Sequence, residues 1–504
     1  MKAYLLYEDR DFDLQAELPP NHEDLVQDLE LTTLLQAMAG GDTLLLDVAR
    51  RVLLAGTDDP AAILYRQQIL VDCLAEPEVI REMHSIAVAA MEDKRGLWGY
   101  SSRSPSSILS GALNQLQASV ARLRQVRKVA DAHAGRLRSA GLVRLLRSLQ
   151  SELDDEYLER VEQHLRQLRF RDGEVISAEL DRDNSGTGFV LRSPGDGGRG
   201  WKERLGIGPR SSYSFTVAPR DDAGLQALGD ISGRGLNLVA NAAAQSADHI
   251  LSWFGMLRAE LGFYVGCLNL RERLAEAGQA ITLPEPLPAQ PARLRFGGLC
   301  DASLALRAAG PVVGNDVDAD GRSLLLVTGA SSGGKSTFLR SVGQAQLMMG
   351  CGMFVAAQSY RASVCGGVFT HFTREEDAAM TSGRLDEELS RMSALAEQIS
   401  PRCLVLFNES FAATNEREGS EIGRQVVSAL LEAGVRVVFV THQLDLAESF
   451  LGRRPEPALF LRADRRPDGG RTYKLAVADP LPTSFGEDLY HRLGGWMGGG
   501  VGTT

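Results

Sequence analysis

Ser323-Leu324-Leu325-Leu326-Val327-Thr328 runs directly into Gly329-Ala330-Ser331-Ser332-Gly333-Gly334-Lys335-Ser336-Thr337, an apolar stretch feeding a G-x-x-x-x-G-K-S loop. With a strand pattern before it and a helix pattern after it, the loop sits in the context that a Walker A phosphate-binding motif requires. The glycines let the backbone wrap an anion with its N–H groups turned inward, and the helix that follows adds its positive N-terminal end. Gly329, Ala330, Ser331, Ser332, Gly333, Gly334, Lys335, Ser336 and Thr337 are therefore expected to bind ATP. A glycine-rich turn that binds nothing is the bland alternative, and it needs both flanks to match by chance. Lys335 is expected at the β- and γ-phosphates. Ser336 offers a hydroxyl to Mg2+, which takes hard oxygen ligands shared between protein, water and nucleotide.

Two further apolar runs lie downstream. Cys403-Leu404-Val405-Leu406-Phe407 ends in Asn408-Glu409, and Arg436-Val437-Val438-Phe439-Val440 ends in Thr441-His442. Polar residues at the carboxyl ends of parallel strands lie where such folds bind ligands. Glu409 is the expected general base that orients the attacking water. Asn408 stands where an Asp ordinarily supports the metal, and its amide brings no charge. His442 is expected to sense the γ-phosphate, the alternative being a structural imidazole. Gln358, seven residues after Cys351, is a weaker choice for approaching Mg2+ or the attacking water. From residue 292 to about 485 the order of strand, glycine loop, helix and further strand–helix pairs predicts an α/β domain with a largely parallel sheet.

The pattern changes on the N-terminal side. Pro284 to Pro291 reads as a proline-rich linker. Leu25, Leu29, Leu31, Leu34 and Leu35 open a mainly helical region over 21–291, with breaks at Gly40-Gly41 and Asp59-Pro60. Within it, 109–169 reads as a long helical hairpin turning at Gly141. Residues 170–235 read as a small β-rich insertion carrying the strand-like pieces Gly188 to Leu191 and Tyr213 to Val217. Helix is expected again from Leu236 to about Ala277. Residues 1–20, with a strand-like run Tyr4 to Tyr7, read as an N-terminal arm, and 486–504, including the run from Gly494, as a glycine-rich tail.

Between 122 and 147 stand eight basic residues, Arg122, Arg124, Arg127, Lys128, Arg136, Arg138, Arg144 and Arg147, against the single acid Asp131. They are either a DNA-contacting face, led by Arg122, Arg124, Arg127 and Lys128, or a solvated face balanced by the acidic run Glu152 to Glu156. A formal net charge of −11 confines any nucleic-acid contact to such a patch. The six cysteines are dispersed without a C-x-x-C pair, so neither zinc nor disulfides are indicated. No apolar run is long enough to span a membrane and no leader pattern opens the chain, which places it in the cytoplasm.

Thr328-Gly329 through GGKSTFLRSVG, Val355-Ala356-Ala357-Gln358, Thr381-Ser382-Gly383-Arg384, Asn408-Glu409 and Val440-Thr441-His442 occur in the order of MutS-family ATPases, and 300–485 resembles that family's ATPase domain. The resemblance extends more loosely to Asp58-Asp59-Pro60 with Ile63 and Tyr65-Arg66-Gln67, at the start of the family's lever-bearing core. It implies an ABC-like P-loop NTPase domain behind a helical core and lever region, with ATP and Mg2+ as cofactors. It further implies a head-to-tail homodimer in which the loop around Ser382, Gly383 and Arg384 completes the partner's site. The function implied is a DNA-binding ATPase of repair or recombination, closing on mismatched, branched or distorted DNA and working with a repair-protein partner. The alternative is an ATP-dependent dimerisation switch that recruits a protein without DNA. Three features depart from the family: Asn408 in place of Asp, Leu385-Asp386-Glu387-Glu388 after Arg384, and no N-terminal Phe-x-Glu wedge, since Phe407-Asn408-Glu409 and Phe485-Gly486-Glu487 lie in or beyond the ATPase domain.

Overall fold

The computed structural model describes residues 1–97, 104–170, 173–183, 185–192, 214–218, 220–374, 383–451 and 458–481. The chain forms two compact units. One gathers Met1–Ala3, Glu78–Leu137 and Leu142–Arg258, and the other Tyr4–Pro77, Arg138–Gly141 and the chain from Ala259 onward. None of the described helices is long and apolar enough to cross a membrane.

The second unit opens with α1 (His22–Asp28), α2 (Leu31–Ala39), α3 (Thr43–Leu54) and α4 (Pro60–Ala75). Their ends follow local rules. Gly40 takes a left-handed conformation, φ 55°, that closes α2. Asp42 accepts the N–H groups of Leu44 and Leu45 to start α3, and Asp59 caps α4 with Pro60 in its first turn. The first unit contains α5 (Pro77–Leu97) from Glu78 on, α6 (Pro105–His133), most of α7 (Ala140–Glu152), α8 (Asp155–Gln167) and the hairpin β1 (Val175–Leu180) and β2 (Gly186–Arg192). It also holds the first part of α9 (Asp222–Glu276), whose last residues, from Ala259, belong to the second unit.

Four local expectations are corrected. Gly141 does not turn the helical hairpin but lies inside α7, where a Cβ would come within 2.5 Å of Ile69 and 2.7 Å of the Tyr65 hydroxyl, so glycine is kept there by close packing. The β-rich insertion ends early, because α9 begins at Asp222 and the described part of the 213–217 piece forms no strand. Gly235 accordingly sits inside this helix, where the side chain of Ile176 from β1 packs 2.7 Å from a would-be Cβ. Pro284 to Pro291 is not only a linker, since β3 (Glu285–Leu287) lies within it. Tyr4 to Tyr7 forms no strand, yet Leu5 and Leu6 are buried. Gly494 and the tail lie outside the described residues.

The α/β part has two sheets. A four-stranded one has the order β3, β7 (Ser359–Ser363), β4 (Leu294–Leu299) and β5 (Asn315–Asp318). The larger, six-stranded sheet has the order β12 (Arg471–Val477), β11 (Leu459–Arg465), β6 (Leu324–Gly329), β10 (Arg436–Val440), β9 (Leu404–Asn408) and β8 (Val368–Phe372). All its neighbours run parallel except β11 and β12. Strand β6 is buried from end to end, which is why its run is continuously apolar and not alternating. The remaining helices are α10 (Ala302–Arg307), α11 (Lys335–Gly350), α12 (Arg384–Ala396), α13 (Glu416–Glu432) and α14 (Leu444–Ser449).

Candidate nucleotide site

Register builds the site. Val440 pairs with Val327 on one side and with Asn408 on the other, so three adjacent strands end in one row. Thr328-Gly329, the last residues of β6, and Thr441-His442 and Glu409, which follow β10 and β9, lie together at the carboxyl edge of the sheet.

The loop after β6 has the conformation its glycines predict. Gly329 at φ 102° and Gly334 at φ 92° occupy the left-handed region, and Gly334 is the residue before α11. A Cβ on Gly329 would lie 2.9 Å from the Ala463 nitrogen, and one on Gly333 would lie 2.8 Å from the Ala330 oxygen. Ser332 takes φ 57°, rare for a non-glycine residue and concentrated at functional turns. The Lys335 ammonium is buried at the mouth of the loop, donating to the carbonyls of Gly329 (3.1 Å) and Ala330 (3.2 Å). Burial lowers its pKa from the usual lysine value, with the Glu409 carboxylate pulling the other way. Ser336 donates its hydroxyl to the Asn408 amide oxygen at 3.0 Å.

Glu409 follows β9 at φ 56°, its N–H bonded to Val440 O at 2.9 Å. Its carboxylate lies 3.9 Å from His442 Nδ1, and both side chains are close to half exposed. The loop glycines, the buried ammonium, two oxygen donors on Ser336 and Asn408, and a solvent-reaching carboxylate and imidazole fit a nucleoside triphosphate and a divalent cation. Gln358 is placed elsewhere: its N–H donates to Gly297 O at 2.9 Å and its side chain lies against Gly298 beside the smaller sheet. Among the described residues the structure gives it no hydrogen bond to Ser336 or Asn408. Gly383 caps α12 and Arg384 opens it. Ser382 lies outside the described residues.

Nothing in the sequence flags the buried cluster that holds the end of β9. His371 Nε2 faces Glu388 O at 3.1 Å and Nδ1 faces the Ser410 hydroxyl at 2.8 Å, while the Glu388 carboxylate accepts Phe411 N–H at 2.9 Å. Glu388, one of the residues that depart from the family pattern, thus ties α12 to the turn after Glu409. Burial pushes the His371 imidazole down to about 4 and raises the Glu388 carboxyl. Phe411 at φ 64° is fully buried, and its ring stacks on His371 at 5.4 Å.

The basic patch is largely paired. Arg122 binds Asp93 (2.9 Å), Arg124 binds Glu162 (3.0 Å), and Arg127 binds Asp131 (3.0 Å) and Leu153 O (2.8 Å), while Lys128 is exposed. The acids that meet Arg122, Arg124 and Arg127 are thus Asp93, Glu162 and Asp131, with Asp155 of the run Glu152 to Glu156 also 4.0 Å from Arg124.

Residues 58–277 match the family described as MutS2 N-terminal domain, and 325–456 match MutS domain V. The DNA mismatch repair protein MutS of Chloroflexus aurantiacus is 34% identical over 186 residues, covering 34% of this chain and 19% of that protein. Endonuclease MutS2 of Lacticaseibacillus casei is 29% identical over 208 residues, 40% of this chain and 26% of its own. MutS protein homolog 4 of Mus musculus is 28% identical over 136 residues, 27% and 14% respectively. The matches thus span about a quarter or less of these relatives' length.

Proposed function

The chain belongs to the MutS family, and from that premise we propose that it is an ATPase of DNA repair or recombination in which nucleotide turnover drives closure of a homodimer on mismatched, branched or distorted DNA. The observation that carries the ATPase reading is the single row of Gly329–Ser336, Asn408-Glu409 and His442 at one sheet edge. Gly329 to Thr337 cradle the phosphates, and Lys335 neutralises charge on the β- and γ-groups. Ser336 and Asn408 would hold Mg2+, which supplies charge neutralisation when bound. Glu409 orients water for attack and His442 responds to the γ-phosphate, while Gly383 and Arg384 face the partner's site together with Ser382.

One observation favours the second reading, a dimerisation switch that recruits a protein without DNA. Arg122, Arg124 and Arg127 already satisfy carboxylates, so meeting phosphates would mean giving up those pairs. The deciding experiment measures steady-state ATP hydrolysis alone and with matched, mismatched and branched duplexes, with Lys335→Ala as the blank. Modulation by one DNA form supports the clamp. A rate indifferent to all DNA favours the switch, and equal hydrolysis by Lys335→Ala would refute the nucleotide site.

A further inference from the structure

The hairpin of β11 and β12 backs the phosphate loop at Gly329, Ser331, Gly333 and Gly334. Would-be Cβ atoms on Gly329 and Gly333 meet Arg462 and Ala463 of β11 at 2.8 Å, and one on Gly334 meets Cα, Cβ and Cδ1 of Tyr473 at 3.6 Å. Arg471 Nε donates to Ser331 O at 3.1 Å. The contacts from β12 depend on an irregularity. Ala463 pairs with Leu475 and Arg465 with Arg471, so Thr472, Tyr473 and Lys474 stand opposite Asp464 alone. Tyr473 sits in this bulge at φ 59°, a conformation that tyrosine rarely adopts.

Something must hold the bulge, because β12 is an edge strand of its sheet. Asn315, at the start of β5 in the smaller sheet, does so with its side-chain amide. Its Oδ1 accepts Leu475 N–H at 2.8 Å, and its Nδ2 donates to Tyr473 O at 3.4 Å. One side chain thus pairs the edge as a neighbouring strand would, and Asn315 is buried. The adjacent Asp316 holds Lys474 Nζ at 3.2 Å.

We propose that Asn315 is a positioning residue for nucleotide binding: it pins the β12 bulge, and the bulge in turn fixes Ser331 and Gly334 of the phosphate loop through Arg471 and Tyr473. The inference rests on reading residues 329–337 as the nucleotide loop. Without the pin, the outward N–H and C=O of the bulge lose their partner, Tyr473 relaxes toward negative φ, and the loop loses its backing at both points.

The test is titration of a fluorescent ATP analogue against the full chain and its variants, with KM and kcat for ATP and a thermal melt of each. Asn315→Ala is expected to weaken analogue binding about tenfold and to raise KM with kcat within about twofold. Asn315→Asp, which keeps the acceptor for Leu475 N–H, should recover part of the affinity. A purely structural asparagine would lower the melting temperature and leave KM alone, and that result overturns the proposal, as does unchanged analogue affinity. If Asn315→Ala does not fold, Arg471→Gln gives the answer: weaker analogue binding supports the brace, and parental affinity refutes it. Failure of the parent to bind the analogue any better than Lys335→Ala would instead overturn the nucleotide reading beneath it.

Discussion

Ser336, in the first turn of α11, donates its hydroxyl across 3.0 Å to the side-chain oxygen of Asn408 at the end of β9, so the two expected metal supports are already in one hydrogen bond. An amide oxygen can receive that bond and can accept from metal-bound water, but it contributes no charge. Charge-assisted hydrogen bonds are about twice as strong as neutral ones. Asn408→Asp is therefore expected to lower the Mg2+ concentration for half-maximal ATP hydrolysis by about tenfold, at one extra charge interaction of roughly 1.4 kcal/mol. A magnesium titration of the steady-state rate in both proteins checks it. An unchanged midpoint would mean that residue 408 does not support the metal.

The turn after Glu409 is expected to be sensitive to a single methyl group. Gly419, in α13, packs so closely on this turn that a Cβ would lie 2.1 Å from Phe411 O and 2.6 Å from Gln443 Nε2. Gln443 Nε2 itself donates to Phe411 O at 3.2 Å, and both belong to the wall behind Glu409 and His442. Gly419→Ala must push α13 or the turn outward, at a cost of about 1–3 kcal/mol by the usual penalty for overpacking. Thermal melting should show the loss, and kcat should fall with it because Glu409 is displaced. A variant with parental melting and rate would show that the turn yields freely.

His371 sets an acid-side limit. Its folded value, about 4, lies below the ordinary 6.5 because it is buried, so in that interval the unfolded chain binds a proton that the folded one refuses. Stability is therefore lost as pH falls from 6.5 toward 4. A one-proton difference between the two states is worth about 1.4 kcal/mol for every tenfold rise in proton concentration, which makes the loss on the order of 3 kcal/mol. His371→Asn removes the titrating group. The gap between parent and variant in melting temperature should narrow across this interval as pH falls, and a constant gap would exclude His371 as the source.

How much of the molecule is legible in the sequence follows the distance over which each feature is determined. The phosphate loop and the starts of α3 and α4 are fixed by neighbours within a few residues, and they follow the loop glycines and the breaks at Gly40-Gly41 and Asp59-Pro60. Asn408-Glu409 and Thr441-His442 are readable because apolar runs end there. Gly141 and Gly235 give no such local signal, because each glycine serves a packing partner far away in sequence, Tyr65 and Ile69 for one and Ile176 for the other. Glu388 has the look of a solvent-facing acid within Asp386-Glu387-Glu388, yet its carboxylate bonds Phe411 N–H. No local pattern announces such a bond. The cations of α6 are visible as charges in the sequence, but their partners on α5 and α8 are not.

The N-terminal arm gives the last prediction, since a run with the pattern of a short strand is in fact a buried loop held by one acid on α9. The Glu260 carboxylate accepts N–H bonds from Leu5, Leu6 (3.3 Å) and Phe12 (3.1 Å), while Tyr264 donates to Leu5 O at 2.7 Å and Arg66 to Leu6 O at 2.7 Å. Glu260→Ala strands three N–H donors in a site without solvent, and at about 1–3 kcal/mol for each unsatisfied group the cost is at least about 3 kcal/mol. Burial raises the Glu260 carboxyl from 4.5 to about 7, against the pull of its N–H donors. Between those values the folded chain holds a proton that the unfolded chain releases, so this group's contribution is full below pH 4.5 and is lost as pH rises to about 7, opposite in sign to that of His371. Glu260→Gln cannot titrate. Relative to the parent it should therefore gain melting temperature progressively from pH 4.5 to 7 and hold a constant offset above. Hydrogen exchange at Leu5, Leu6 and Phe12 should accelerate in Glu260→Ala; unchanged protection there would mean that packing of Leu5, Leu6 and Phe12, and not the carboxylate, holds the arm.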